Sequence, residues 1–315
     1  MPDTRYEIRD TYLFGPVPSR RLGLSLGVDI VPFKTCTLDC VYCQLGPTCQ
    51  KSIERKDYVP VEAVLAQLRQ KLAEGIKADF ITISGSGEPT LNIRLGEIIK
   101  GIKKLTDIPV AVLTNGTLFT DKSVRADCAL ADVVLPSLDA GDAETFRRIN
   151  RPHPDISIEK LISGLVSFRD EFAGRIWLEV FLLDGINTDN EQIAKIKDAV
   201  ERIGPDNVHL NTAVRPTAVA DVKRVETEKL RAIAEEFGPN CEVVVDLLPR
   251  HHDKAVETSA ENVLSILKRR PCSLNDICDA LGISSNDALK YISHLQQQGL
   301  VYSQQKDQIV FFRAR

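Results

Sequence analysis

Leu24-Ser25-Leu26-Gly27-Val28-Asp29-Ile30-Val31, continued by Pro32-Phe33-Lys34-Thr35-Cys36-Thr37-Leu38-Asp39-Cys40-Val41-Tyr42-Cys43, opens the repeating part of this 315-residue sequence. Residues 24–31 alternate and then turn β-branched, which predicts a strand, and a cysteine-bearing loop follows directly. Beyond it the pattern changes to helix spacing, with Val61, Val64, Leu65, Leu68 and Leu72 on one face of 61–74, and then to a buried-strand run at 79–84. The alternation repeats. Helices are expected at 93–105, after Thr120, and at 158–172, 190–203 and 226–237; strands at 109–114, 132–138, 176–183, 207–212 and 241–246. Strands alternating with helices of about 10 to 15 residues imply βαβ units and a parallel sheet. The expected fold is therefore α/β, a partial (β/α)6 TIM-like barrel, whose chemistry collects in the loops at the C-terminal ends of the strands.

A different rhythm begins after a polar stretch containing Pro249, His251 and His252. Helices are expected at 262–269, at 273–281 capped by Ser273, and at 284–297 capped by Ser284 or Ser285 and stopped by Gly299, followed by strands at 300–303 and 309–312. Three helices and a hairpin describe a small C-terminal winged helix-turn-helix domain. The expected organisation is a barrel domain over 1–246, a linker over 247–260 and the winged helix over 261–315.

Hydrophobic residues at 43% and charged residues at 27% supply enough apolar material for a sizeable core. Lys+Arg 40 against Asp+Glu 44, a net charge of -4, argues against broad electrostatic adhesion to nucleic acid or anionic membrane. With no signal-like apolar opening and no run of roughly 20 apolar residues, the expectation is a cytoplasmic protein without a membrane partner.

The chain has eight cysteines, and Cys36, Cys40 and Cys43 crowd together with Cys49 close behind. Such a cluster in a chain of this kind points to metal rather than disulfides. Three thiolates in a Cys-x-x-x-Cys-x-x-Cys loop suit a [4Fe-4S] cube with one iron left open. A structural zinc site using Cys49 as fourth ligand is the alternative. Cys128 and Cys241 lie in apolar runs and read as core residues, and Cys272 and Cys278 as structural ones.

A second element, Ser84-Gly85-Ser86-Gly87-Glu88-Pro89-Thr90, follows the strand Phe80-Ile81-Thr82-Ile83. Its glycines let backbone approach a ligand closely, and its carboxylate suits an amino group. Thr114-Asn115-Gly116 ends the next strand, and Ser137 with Asp139 the one after. Each of these also fits ordinary turn chemistry. Asn211 and Arg215 close the 207–212 segment, where Arg215 also fits a surface ion pair. Trp177 and Glu179 could face the barrel interior or the helix layer. Arg20, Arg21, Arg147, Arg148 and Arg151 could line a mouth for an anionic substrate or simply be solvated.

With these residues in view, the chain resembles the radical S-adenosylmethionine (SAM) superfamily. Tyr42 stands where that family carries an aromatic residue against adenine, and Ser84 to Pro89 is similar to its Gly-Gly-Glu-Pro element with Ser86 in place of a glycine. The resemblance implies an enzyme with two cofactors, a [4Fe-4S] cluster on Cys36, Cys40 and Cys43, and SAM held by residues among Tyr42, Ser84 to Pro89, Thr114, Asn115, Gly116, Ser137, Asp139, Asn211 and Arg215. The implied chemistry is reductive cleavage of SAM to a 5'-deoxyadenosyl radical, with a flavodoxin or ferredoxin as reductant and an RNA, peptide or small molecule as substrate.

Gly15 to Gly23 and Pro32 to Cys36 resemble the branch that includes wyosine-type tRNA-modifying synthases. Those enzymes carry further cysteines upstream for a second cluster, and no cysteine precedes Cys36 here. The rival reading is an iron-sulfur redox-sensing regulator with a DNA-binding winged helix. The third helix of that domain, from Ser284 to His294, has one Lys against one Asp and is poorly equipped for a DNA groove. Protein or peptide docking, or packing onto the barrel mouth, is therefore favoured over DNA for this domain.

Overall fold

The computed structural model describes residues 11–244 and 259–315. Its main sheet has the order β1-β2-β5-β6-β7-β8-β9-β10. These strands are β1 Leu13–Ser19, β2 Gly23–Val28, β5 Phe80–Ile83, β6 Val110–Leu113, β7 Val133–Leu135, β8 Arg175–Leu182, β9 Asn207–Thr212 and β10 Cys241–Val243. From β2 to β10 every neighbouring pair is parallel, whereas β1 is antiparallel to β2 and forms one edge. The two-residue strands β3 Thr35–Cys36 and β4 Gln50–Lys51 pair within the cysteine loop.

The connecting helices are α1 Val61–Ala73, α2 Leu95–Leu105, α3 Lys122–Cys128, α4 Ala143–Asn150, α5 Ile158–Glu171, α6 Asn190–Ile203 and α7 Thr227–Phe237. The helix layer is fixed by its apolar stripes. On α2, Ile98, Ile99 and Ile102 are fully buried in the main core, each stabilising by about 1.5–3 kcal/mol. Side chains cap the starts: Asp121 on α3, Asp142 on α4, Ser157 on α5 and Asp189 on α6 each accept a backbone N–H of the first turn. The expected partial barrel is thus present, with parallel strands and their helices, and α4 is an addition to it.

The opening segment, where the sequence pattern predicts no element, is the edge strand β1. Pro16 and Pro18 are tolerated there because an edge strand has one side with no ladder to supply. The end of the expected 241–246 strand and most of the expected 247–260 linker, with Pro249, His251 and His252, lie outside the described residues.

The C-terminal unit comprises α8 Ala260–Leu267, β11 Cys272–Ser273, α9 Leu274–Leu281, α10 Ser285–Gln297, β12 Val301–Lys306 and β13 Ile309–Ala314. Its three strands form an antiparallel sheet of order β11-β13-β12, and Val263, Ile266, Ile277, Ile292 and Leu295 build a core of its own. Ser273 forms a capping box with Asp276 at the start of α9, and Ser284 caps α10. The unit packs on the barrel: α8 and α9 lie against β1, and Val17 joins the apolar contacts of the unit.

Candidate active site

The loop after β2 is held from several directions. The Lys34 N–H donates to Ser86 O (2.7 Å), Glu88 N–H to Thr35 O (3.0 Å), Asp39 N–H to Asn150 O (3.0 Å) and Val41 N–H to Ile149 O (2.9 Å). Leu38 and Val41 are buried and anchor the turn that carries Cys40, whose carbonyl accepts from Cys43 N–H at 3.1 Å.

Each of the three sulfurs meets a nitrogen donor from a different part of the chain. Asn115 Nδ2 lies 3.5 Å from Cys36 Sγ, Asn150 Nδ2 3.4 Å from Cys40 Sγ, and Lys34 Nζ 3.0 Å from Cys43 Sγ. Burial, with the Glu88 carboxylate behind it, pushes the Cys36 thiol up to about 12. Burial and then Asp139 push Cys40 well above the ordinary thiol range. These two sulfurs therefore stay protonated at neutral pH unless a cation takes the proton's place, which couples thiolate formation to metal binding.

Among the described residues, no three His, Cys, Asp or Glu side chains are gathered as ligands of a single ion would be. Ligands of an iron-sulfur cube need not be, since each binds a different iron. Three half-buried thiols, each with its own N–H donor, fit such a cluster. Cys49 is exposed, while Cys128 is buried in the main core.

The 84–90 loop is clamped between β2 and the cysteine loop. A Cβ on Gly87 would lie 2.0 Å from Thr35 O, and one on Gly85, at φ +142°, would lie 2.5 Å from Asp29 Cγ. Ser86 donates to Asp29 through N–H (3.3 Å) and Oγ (2.5 Å). The Glu88 carboxylate points inward. Its Oε1 accepts from Thr90 N–H (3.0 Å), Thr90 Oγ1 (2.6 Å) and Thr114 Oγ1 (2.6 Å), and its Oε2 from Asn115 N–H (2.7 Å). With both oxygens occupied, Glu88 positions the loops after β5 and β6 against each other. Ser84, Gly85 and Gly87 remain only half-buried, so the loop backbone has open edges.

Asn115 is bound to the cysteine loop as well, its Nδ2 donating to Thr37 Oγ1 at 2.7 Å, and Gly116 turns the chain at φ +73°. After β7, Ser137 bridges to Glu179, and the buried Asp139 accepts from Tyr42 OH (2.5 Å), Asn150 Nδ2 (2.7 Å) and Phe181 N–H (2.9 Å). Burial pushes the Asp139 carboxyl up to about 6 despite those donors. Tyr42 stacks flat on Phe181, with centroids 3.9 Å apart at 7°, so one ring face is covered by protein.

Trp177 and Glu179 face the barrel interior. Trp177 meets Phe80 and His209 edge-on, and Glu179 pairs with Arg21 and accepts from Asn211 Nδ2 at 3.0 Å. Burial holds His209 down at about 4, leaving the ring neutral at pH 7. Arg215 extends from the chain after β9 to Asp276 of α9 at 2.8 Å.

The arginines considered together in the sequence separate in space. Arg21 is inside the barrel, Arg147 and Arg148 are exposed on α4, and Arg151 lies 3.8 Å from Asp39. Four residues of the site escaped sequence reasoning: Lys34, Asn150, Asp29 and Arg269. Arg269, at the end of α8, pairs with the fully buried Asp29, donates to Ser86 Oγ at 2.7 Å and lies 4.6 Å over the Phe14 ring. The C-terminal unit thereby touches the loop after β5, and through Arg313 Nη2 to Leu45 O (2.8 Å) the cysteine loop as well.

A sequence model of the Radical SAM superfamily matches residues 30–200. The chain is 33% identical over 308 residues to a UPF0026 protein of Methanocaldococcus jannaschii, covering 96% of this chain and 95% of that one. It is 37% identical over 311 residues to a protein of Brachyspira hyodysenteriae named GTPase Obg, and spans only 45% of that longer chain. Among solved structures, TYW1 with a lysine-pyruvate adduct superposes with TM-score 0.53 at 21% identity, covering 72% of this chain and 76% of that one. SuiB of Streptococcus suis bound to S-adenosylmethionine superposes with TM-score 0.53 at 18% identity over 72% of this chain and 53% of that one. At these identities the superpositions establish a shared fold.

Proposed function

We propose, from the premise that this chain belongs to the radical SAM superfamily, that Cys36, Cys40 and Cys43 hold its [4Fe-4S] cluster and that the loops after β5, β6 and β7 hold SAM. The chemistry that these cofactors supply when bound is reductive cleavage of SAM to a 5'-deoxyadenosyl radical. The observation that carries the reading is the set of three thiols, each with one N–H donor from a different segment: Lys34 of the cysteine loop, Asn115 after β6 and Asn150 at the end of α4. Hydrogen bonds to ligating sulfurs orient them and tune a cluster.

The remaining roles follow from placement. The open backbone edges of Ser84, Gly85 and Gly87 offer carbonyl and N–H groups to the amino-acid end of SAM, while Glu88 fixes the distance between that loop and Thr114 to Gly116. Asp139 holds Tyr42 and Asn150 in place behind Cys40, while Ser137 and Asn211 lie beside Glu179 in the interior and Arg215 is tied to Asp276 of the C-terminal unit. The C-terminal unit, which we read as a winged helix, covers part of that mouth and excludes water from it. The comparisons lend no support to a DNA-binding regulator, and none of the described helices is long and apolar enough to cross a membrane. A cytoplasmic setting suits eight free cysteines.

Iron and sulfide analysis with electron paramagnetic resonance after anaerobic reconstitution tests the assignment. The wild type is expected to bind four irons per chain and to show a spectrum altered by SAM, and Cys36→Ala, Cys40→Ala and Cys43→Ala each to lose both properties. Full iron loading in all three variants would overturn it.

A further inference from the structure

The sheet is open between its edge strands β1 and β10, and the C-terminal unit reaches across. It packs α8 and α9 on β1 and, on the far side, sends Asp276 to Arg215 and Lys306 Nζ to Arg215 O (3.1 Å) and Val222 O (3.5 Å). Arg20 after β1 and Arg270 between α8 and β11 flank this seam, near enough to Arg215 after β9 and to Asp276 to act on them electrostatically.

These three cations act on one another. Burial and then Arg215 hold both Arg20 and Arg270 below the usual guanidinium range. The carboxylate facing them is Asp276, and it is bonded to Arg215. The adjacent Arg21 and Arg269 are committed to Glu179 and Asp29. Two other titratable groups lie here: Cys272 is kept a neutral thiol by burial, and the Lys306 ammonium is offset by the neighbouring Asp307. No carboxylate forms an ion pair with Arg20 or Arg270 among the described residues. Three guanidinium groups against one carboxylate thus leave two positive charges unneutralised. Arg215 Nε is, in addition, a buried donor without an acceptor among the described residues. Like charges gathered at a half-buried seam, with a donor left open, are costly unless an anion completes them.

We propose that this seam binds the phosphomonoester group of the substrate, with Arg270 of the C-terminal unit completing a site that the barrel alone lacks. A phosphomonoester carries close to two negative charges at neutral pH, matching the excess, and guanidinium forks engage its oxygens in pairs. The next residue, Arg269, bonds Ser86, so the ester lies beside the loops assigned to SAM. Naming the ligand as substrate rests on the functional reading above, whereas the anion site itself does not.

The test is thermal unfolding of the full chain, followed by fluorescence of Trp177, in buffer without phosphate. Ribose 5-phosphate, inorganic phosphate, ribose and sodium chloride are compared at matched ionic strength. Ribose 5-phosphate is expected to raise Tm saturably by about 2–4 °C, more than inorganic phosphate does, and ribose and chloride to leave it unchanged. The rise should vanish in Arg270→Gln and in Arg20→Gln and persist in Arg202→Gln, a residue exposed on α6. If one seam variant does not fold, the other decides. A rise that survives in the seam variants, one matched by chloride, one given by phosphate but not by ribose 5-phosphate, or none in the wild type would each overturn the proposal. Ester binding in a protein that fails to cleave SAM would sink the catalytic reading and leave the anion site standing.

Discussion

Replacing Glu88 by Gln exchanges one atom at the centre of the site and has a cost that can be worked out. Oε1 can keep its three donors, Thr90 N–H, Thr90 Oγ1 and Thr114 Oγ1. Oε2 becomes an NH2 group facing Asn115 N–H, where the carboxylate had accepted at 2.7 Å. A charge-assisted bond of about 1.5–3 kcal/mol is lost, and a buried backbone donor stranded at about 1–3 kcal/mol. Against this, a neutral amide costs less to bury, and burial already pushes the Glu88 carboxyl up. The expected net loss is about 2–4 kcal/mol. Urea unfolding at pH 7, read through Trp177 as the single tryptophan inside the barrel, measures it. Iron retention should fall in the same variant, because Asn115 also reaches Thr37 and Cys36. A change below about 0.5 kcal/mol with iron retention intact would refute the idea that this carboxylate ties the loops together.

Two further outcomes are expected. The Asp139 carboxyl, raised from 3.8 to about 6, favours the fold in its protonated form; that stability is fully present below the unfolded value and lost as pH rises through the folded one. Between pH 4 and pH 6 the wild type should therefore lose up to about 3 kcal/mol relative to Asp139→Asn in urea titrations, and a constant difference would contradict the burial of that charge. Gly87→Ala places a methyl against the Thr35 carbonyl, a backbone atom that cannot yield, and should cost about 2–4 kcal/mol together with iron binding; Gly185→Ala, open in space but at φ +72°, should cost about 1 kcal/mol with iron binding kept.

Much of the barrel was legible because its strands are rich in β-branched residues and largely buried, and most of its helices carry one apolar stripe. The segments 190–203 and 207–212 were read to the residue for this reason. β1 was not legible: two prolines and a glycine argue against a strand unless its place at the sheet edge is known. α4 was hidden by its charge, since Phe146 and Ile149 are its only large apolar residues, although Asp142 three residues before Thr145 is a readable cap. The cysteine spacing announced a cluster, but the donors to its sulfurs could not be found by motif. Asn150 reaches Cys40 across 110 residues of sequence and Asn115 reaches Cys36 across 79. Arg269 is further still, 240 residues from Asp29, and only the docking of the C-terminal unit brings it there. Local pattern records periodicity and caps; contacts between distant loops are set by how the strands are ordered.

Quantifying 5'-deoxyadenosine after anaerobic incubation of the reconstituted wild type with SAM and dithionite, beside Cys40→Ala, tests the central claim most directly. Formation in the wild type and none in the variant is the expected result. Full iron loading with no 5'-deoxyadenosine, or equal amounts from both proteins, would contradict it.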